Sequence, residues 1–260
     1  MGIIDLSPAE YEKFMFVLLR VGALIMFIPI LGSPQVPKRI KVGFILFISI
    51  AVFPMVRSNP MHDPKGLFEL VIALFSEITI GLAVAYSARL IFTAVQVAGT
   101  IVDFQMGFGV VNVIDPQTET QVSITAQFQN ILAILMFLAL DAHHIIIGAI
   151  VESFFLINPQ QINFSTFTPE IMLILFKTTF VTAVKIAAPI MAILFFISVG
   201  LGLVARTVPQ MNVFIVGFPL QIGVGLLMVG LSMSFFSILV HNEIEKLPEN
   251  ILGVMQSFKA

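Results

Sequence analysis

Six apolar runs fill most of the chain, and short polar or proline-bearing stretches separate them. They cover Phe14–Leu31, Val42–Val56, Leu67–Val102, Ile124–Ile157, Ile171–Leu203 and Val213–Val240. In lipid such runs can pair their backbone groups only internally. The pattern therefore predicts an all-α, polytopic membrane protein of about six long, partly kinked helices arranged as hairpins. The second run falls short of the roughly 20 residues that a span needs, and Pro54 shortens it further. The third to fifth runs exceed that length, which predicts tilt, kinks or projection out of the bilayer. Pro189 and Pro219 are the predicted kink points. Small residues recur four apart: Gly81 with Ala85, Ala94 with Ala98, Ala183 with Ala187, and Ala188 with Ala192. Each pair lets helix backbones approach closely. The tail from His241 to Ala260 is more polar. It reads as an amphipathic helix broken near Pro248, lying on a surface or a partner.

Composition sharpens this picture. Hydrophobic residues make up 58% of the 260, while net charge is only −2, so no basic field points to nucleic acid. The absence of cysteine removes disulfides, thiolate catalysis and Cys-ligated metals. Twenty-six Phe stand beside two Tyr and no Trp. Interfacial Trp and Tyr normally mark lipid-facing bundles, so their scarcity fits either a surface that meets protein or a compositional bias. Asp5, Glu10 and Glu12 do not make the positive region of a cleaved leader, and the first helix is expected to be retained. The richest basic loop, Lys38-Arg39-Ile40-Lys41, is expected in the cytoplasm. By parity over six runs, the Gly99–Ser123 and Arg206 loops join it, with both termini outside.

Several charges sit inside the apolar runs: Arg20, Glu77, Arg89, Asp141, His143, His144, Glu152, Lys177 and Lys185. All are expected to be buried against protein or a water-filled path. For Lys177 and Lys185, static ion pairs that hold subunits in register are one reading, and a sensing or proton-linked role is the other. Glu77, Asp141 and Glu152 are the candidate partners for Lys177 and Lys185. Asp141-Ala142-His143-His144 resembles a metal site, but adjacent helical side chains diverge by about 100°, so no metal is expected. Gly107-Phe108-Gly109 lacks the spacing and the lysine of a phosphate loop. Ser232 and Ser234 have no evident base. No enzyme activity and no cofactor are expected.

Two connecting segments carry more information. Asp103 to Pro116 is glycine-bearing yet apolar, with Met106, Phe108, Val110, Val111, Val113 and Ile114. It is either a constriction that excludes water from a pore or a re-entrant loop packed in the core. Leu203 to Leu220 reads as a helical hairpin: Pro209 and Asn212 make the turn, Arg206 caps the preceding carbonyls, and Gly217 and Pro219 bend the next helix. These two stretches, QMGFG…DP and ARTVPQMNVFIVGFPLQIG, resemble the FliR family of flagellar type III export gate proteins over essentially the whole chain. A homologous SctT-type subunit of virulence secretion systems is the relative most readily confused with it, and an alternative reading of this chain.

That resemblance implies a hetero-oligomeric gate with FliP and FliQ, with FlhB and FlhA as neighbours and unfolded proteins as cargo. It implies a bacterial inner-membrane, basal-body location with part of the assembly toward the periplasm. It also implies a FliP-like part over 1–169, a FliQ-like hairpin over 170–240 and a polar tail over 241–260. The plug loop then lies at about 105–123. Its gate residues are Met106, Gly107, Phe108, Gly109, Val110, Val111, Asn112, Val113 and Ile114, with Met106 and Phe108 as sealing side chains. The assembly hairpin comprises Arg206, Pro209, Gln210, Asn212, Gly217, Phe218 and Pro219. A proton-coupled small-solute transporter is the rival from another class, but it predicts an internal repeat that the chain does not display.

Overall fold

Every regular element among the described residues is an α-helix, as the apolar pattern requires. The computed structural model describes residues 7–57, 66–108, 123–157 and 169–258. In chain order the helices are α1 (Pro8–Phe27), α2 (Lys38–Val56), α3 (Leu67–Met106), α4 (Ile124–Ala139) and α5 (Ala142–Leu156). They continue with α6 (Pro169–Thr207), α7 (Val213–Leu231), α8 (Met233–Glu245) and α9 (Leu247–Ser257). Of these, α2, α3, α6 and α7 are long and apolar enough to cross a membrane. The α4–α5 pair, bent by 66°, makes a fifth if it counts as one broken span. By length and composition the described residues thus offer four or five candidate spans for the six runs, and the parity argument no longer places the termini.

The differences have local causes. The fourth run breaks because Asp141 adopts the left-handed backbone, φ 53° and ψ 23°, which a short polar side chain tolerates better than most. The sixth breaks at Ser232, whose hydroxyl donates to the Val229 carbonyl at 3.1 Å. Competition of this kind by Ser weakens a helix interior. The tail breaks at Lys246, beside Pro248 as expected, and Pro248 occupies the first turn of α9, where its missing N–H costs nothing. Pro54, Pro189 and Pro219 lie inside helices that continue through them.

The chain packs as two compact units. The first draws on residues 1–90, 140–176 and 245–260. In it α1 packs on α2, α2 on α5 and α5 on α9. Val17, Val21, Leu24, Ile48, Ile80 and Ile150 are among its buried side chains. Gly81 brings α3 against α1: a Cβ there would lie 2.5 Å from the Arg20 carbonyl oxygen. The tail turns its apolar face, Leu247, Ile251, Val254 and Met255, into this unit's own core. It does not need a separate surface or partner to cover that face.

The start of α1 is held electrostatically. The Ser7 backbone N–H donates to Glu10 Oε2 at 2.8 Å, and Arg57 Nε donates to Glu10 Oε1 at 2.6 Å. The Ser7 bond first, and Arg57 after it, hold the Glu10 carboxyl below its ordinary value of 4.5. A lowered folded pKa stabilises above the ordinary value, and the contribution disappears as pH falls through the lowered one. Wild type is therefore expected to protect the α1 first turn from hydrogen exchange better than Glu10→Gln at neutral pH. That difference should vanish on acidification below the carboxylate range. A difference independent of pH would contradict the assignment.

The second unit draws on residues 91–139 and 177–244. Phe92 of α3 meets Phe137 of α4, with ring centroids 5.5 Å apart. Gly99 lets α3 touch the α4 backbone at Ala126, where no Cβ fits. Ala94, Ala98, Ala183 and Ala187 are buried, as close packing predicts, whereas Ala188 and Ala192 face outward. Gln221 Nε2 of α7 donates to Ser198 Oγ of α6 at 3.0 Å and ties that hairpin.

Candidate functional site

The glycine-bearing segment is rooted in the second unit by three contacts. Asp103, in the last turn of α3, accepts from Ser123 Oγ at 2.5 Å and from the Thr125 backbone N–H at 3.2 Å. Ser123 Oγ in turn accepts from the Ala126 N–H at 3.0 Å. One buried carboxylate thus closes the two ends of the connection and caps α4, where a negative group also suits the helix dipole. Met106 is fully buried against Gly225 of α7: a Cβ at 225 would fall 2.5 Å from its sulfur. Gly107 follows with φ +92°, and the Phe218 ring of α7 covers it. A left-handed backbone beneath an aromatic ring leaves room only for glycine.

Met106, expected as a sealing side chain, is fully buried within this chain. Phe108 is half-buried. Gly109, Val110, Val111, Asn112, Val113 and Ile114 lie outside the described residues.

The hairpin residues divide by role. Asn212 Oδ1 accepts from the Phe214 N–H at 3.2 Å and caps α7. Arg206 is exposed and does not cap α6. Thr207 does so, its hydroxyl donating to the carbonyls of Leu203 and Val204 at 3.2 and 3.1 Å. A short hydroxyl reaches those carbonyls directly, while a guanidinium gains more from solvent. Gly217 is buried beside Leu201, Phe218 covers Gly107, and Pro209, Gln210 and Pro219 are exposed.

Of the nine charges inside the apolar runs, Arg20 and Glu77 are buried within this chain. Arg20 Nε meets Glu77 Oε2 at 2.5 Å, and Nη1 donates to Ser153 Oγ at 2.9 Å. Its guanidinium lies 3.9 Å from the centre of the Phe154 ring. Three helices, α1, α3 and α5, converge on this one side chain. Arg89, Asp141, Lys177 and Lys185 are instead exposed, as is Glu152. Arg89, Lys177 and Lys185 sit on long helices of high mean hydropathy, where hydropathy alone does not distinguish one face from another. Glu77 pairs with Arg20, and Lys177 and Lys185 have no ion-pair partner among the described residues.

Asp141, His143 and His144 do converge, against expectation, with one ligand atom from each within 4.8 Å of the others.

One feature carries no mark in the hydropathy pattern. Thr93, Gln96 and Thr100 form a polar stripe along α3 that ends at Phe104, itself 76% exposed. With Val97, Ile101 and Gln105 they line a groove of about 560 Å³. Gln96 reaches Asn130 of α4 at 3.4 Å across it. The spacing of three and four residues was the available signal.

Long apolar helices, a buried ion pair and a polar stripe without charge define an all-α polytopic membrane protein. The family match makes the class specific. The chain belongs to the bacterial export proteins, family 1, whose pattern matches residues 11–247. It is similar to the flagellar biosynthetic protein FliR of Bacillus subtilis (strain 168), 38% identical over 93% of this chain and 92% of that protein. The FliR protein of Escherichia coli (strain K12) is 33% identical over 80% and 79%. The Yop proteins translocation protein T of Yersinia pestis is 25% identical over 87% and 88%.

Proposed function

We propose that the chain is a non-enzymatic gate subunit of a flagellar protein export channel in the bacterial inner membrane. The observation that carries this reading is the stripe Thr93–Gln96–Thr100 on a helix of membrane-crossing length, leading to the rooted glycine segment. Uncharged polar side chains on such a helix suit a water-filled passage or a protein neighbour better than hydrocarbon. An unfolded polypeptide of any sequence passes most easily along a wall without fixed charge.

In this reading, Phe108 and Gly109–Ile114 close the passage while Met106 and Asp103 hold their base. The 1–169 and 170–240 parts stand in for FliP-like and FliQ-like subunits, and FliP, FliQ, FlhB and FlhA are the partners. Part of the gate projects toward the periplasm. The outward apolar faces of α6 and α7, with Phe195, Phe196, Phe214 and Ile215 exposed, support burial against lipid or other subunits.

Co-expression with FliP and FliQ, followed by native mass spectrometry, is expected to give a fixed hetero-oligomer. Removing Gly109–Asn112, which leaves Met106 and Gly107 in place, should preserve that particle while raising ion leak across the membrane. A correctly assembled deletion variant that stays tight would remove the plug assignment. A chain that remains a monomer with every partner present would remove the gate reading.

A further inference from the structure

Three potential metal donors meet where α4 gives way to α5, outside the segments discussed above as gate and hairpin. Asp141 is the N-cap of α5, yet its carboxylate makes no capping bond. It turns instead toward His144, whose Nδ1 lies 3.6 Å from Asp141 Oδ1. Asp141 adopts the left-handed backbone immediately before the helix. In the first turn of α5, His143 and His144 do not point apart. Their rings stand 4.2 Å between centroids, inclined by 35°. All three residues bring a donor atom within 4.8 Å of the other two.

We infer that Asp141, His143 and His144 form a binding site for a borderline divalent cation, of which zinc is the reference ion. Two imidazoles and one carboxylate are a donor set that such ions favour over magnesium or calcium. Ligand distances of about 2.0–2.2 Å bring donors closer together than they now stand. Closing the gap takes side-chain rotation only, and both Asp141 and His144 are free to rotate, with 75% and 71% of their side chains exposed. The same exposure leaves the remaining coordination positions to water or to a fourth ligand from outside the chain. Two exposed ionisable groups at a 66° bend also argue that this corner lies outside hydrocarbon. A bound ion would link the residue before α5 to the first turn of that helix.

The test uses the full chain in lipid nanodiscs, purified through a tag without histidine, and titrated with zinc chloride by calorimetry. Cobalt(II) absorption serves as the coordination signature. One ion per chain is expected, with affinity falling at least about tenfold in His144→Ala and in Asp141→Asn. His241→Ala, on α8, should bind as wild type does. A cobalt spectrum lost in His143→Ala but kept in His241→Ala would support the three-ligand set. No saturable binding, or binding that survives His144→Ala and Asp141→Asn undiminished, would overturn the inference and leave a plain Asp–His contact. All three residues are surface or half-buried, and circular dichroism of each variant shows whether the fold is kept.

Discussion

Glu77→Ala is expected to destabilise the first packing unit by about 3–5 kcal/mol, because it strands a guanidinium in a helical core. Arg20 and Glu77 are 1% and 0% exposed, so neither side chain reaches water. With the carboxylate gone, Ser153 and the Phe154 ring remain, and neither carries a compensating charge. Arg20→Ala should cost a similar amount, since it leaves a buried carboxylate and a cavity where α1, α3 and α5 meet. The double replacement Arg20→Met with Glu77→Leu should recover most of the loss. Its reason lies in the incomplete network: Arg20 Nη2 and Glu77 Oε1 have no hydrogen-bond partner among the described residues. A half-satisfied polar cluster is weaker than a packed apolar one of the same volume. Thermal unfolding of the detergent-purified variants measures all three. If the double variant is as unstable as the singles, the pair does more than neutralise its own burial. The first suspect would then be helix register.

That pairing shows where sequence reading stops. The apolar runs predicted helices correctly, and the small residue Gly81 marked a real close approach, because both signals are local in the chain. Arg20 and Glu77 stood out as charges in apolar surroundings, but they are 57 residues apart, and nothing local joins them. Arg89, Lys177 and Lys185 are exposed in this chain, on long helices where hydropathy does not mark which face is covered. A helix with polarity on one side announces its buried face; these do not. Two breaks were invisible for another reason. Asp141 and Ser232 interrupt runs of high hydropathy through backbone conformation and a single hydroxyl, and a window average dilutes both. In the candidate site, Gly107 and Phe218 were each singled out in separate motifs. Their contact, and that of Met106 with Gly225, depends on how α3 and α7 come together.

Gly225→Leu is accordingly expected to act on the glycine segment although it lies more than a hundred residues further along. A Cβ at 225 would fall 2.5 Å from Met106 Sδ and 2.6 Å from its Cγ. Met106, with no exposed surface of its own, has to leave its rotamer and push into packed neighbours. Overpacking of this kind costs about 1–3 kcal/mol. Met106→Ala errs in the opposite direction and leaves a cavity worth about 2–5 kcal/mol. Combined, the new leucine fills the space that methionine vacates, and the double variant should approach wild-type stability. The expected departure from additivity is at least about 1 kcal/mol, the signature of side chains in contact. Leak through the assembled gate gives a second, independent readout. If Met106 anchors the plug, both single variants loosen its base and leak, and the double variant closes again. Restored stability with persistent leak would separate the two roles, assigning to the Met106 sulfur or its length something that volume alone does not supply. Strictly additive stabilities would mean that α7 does not hold this segment, leaving Asp103 and its bonds to Ser123 and Thr125 as the support at its base.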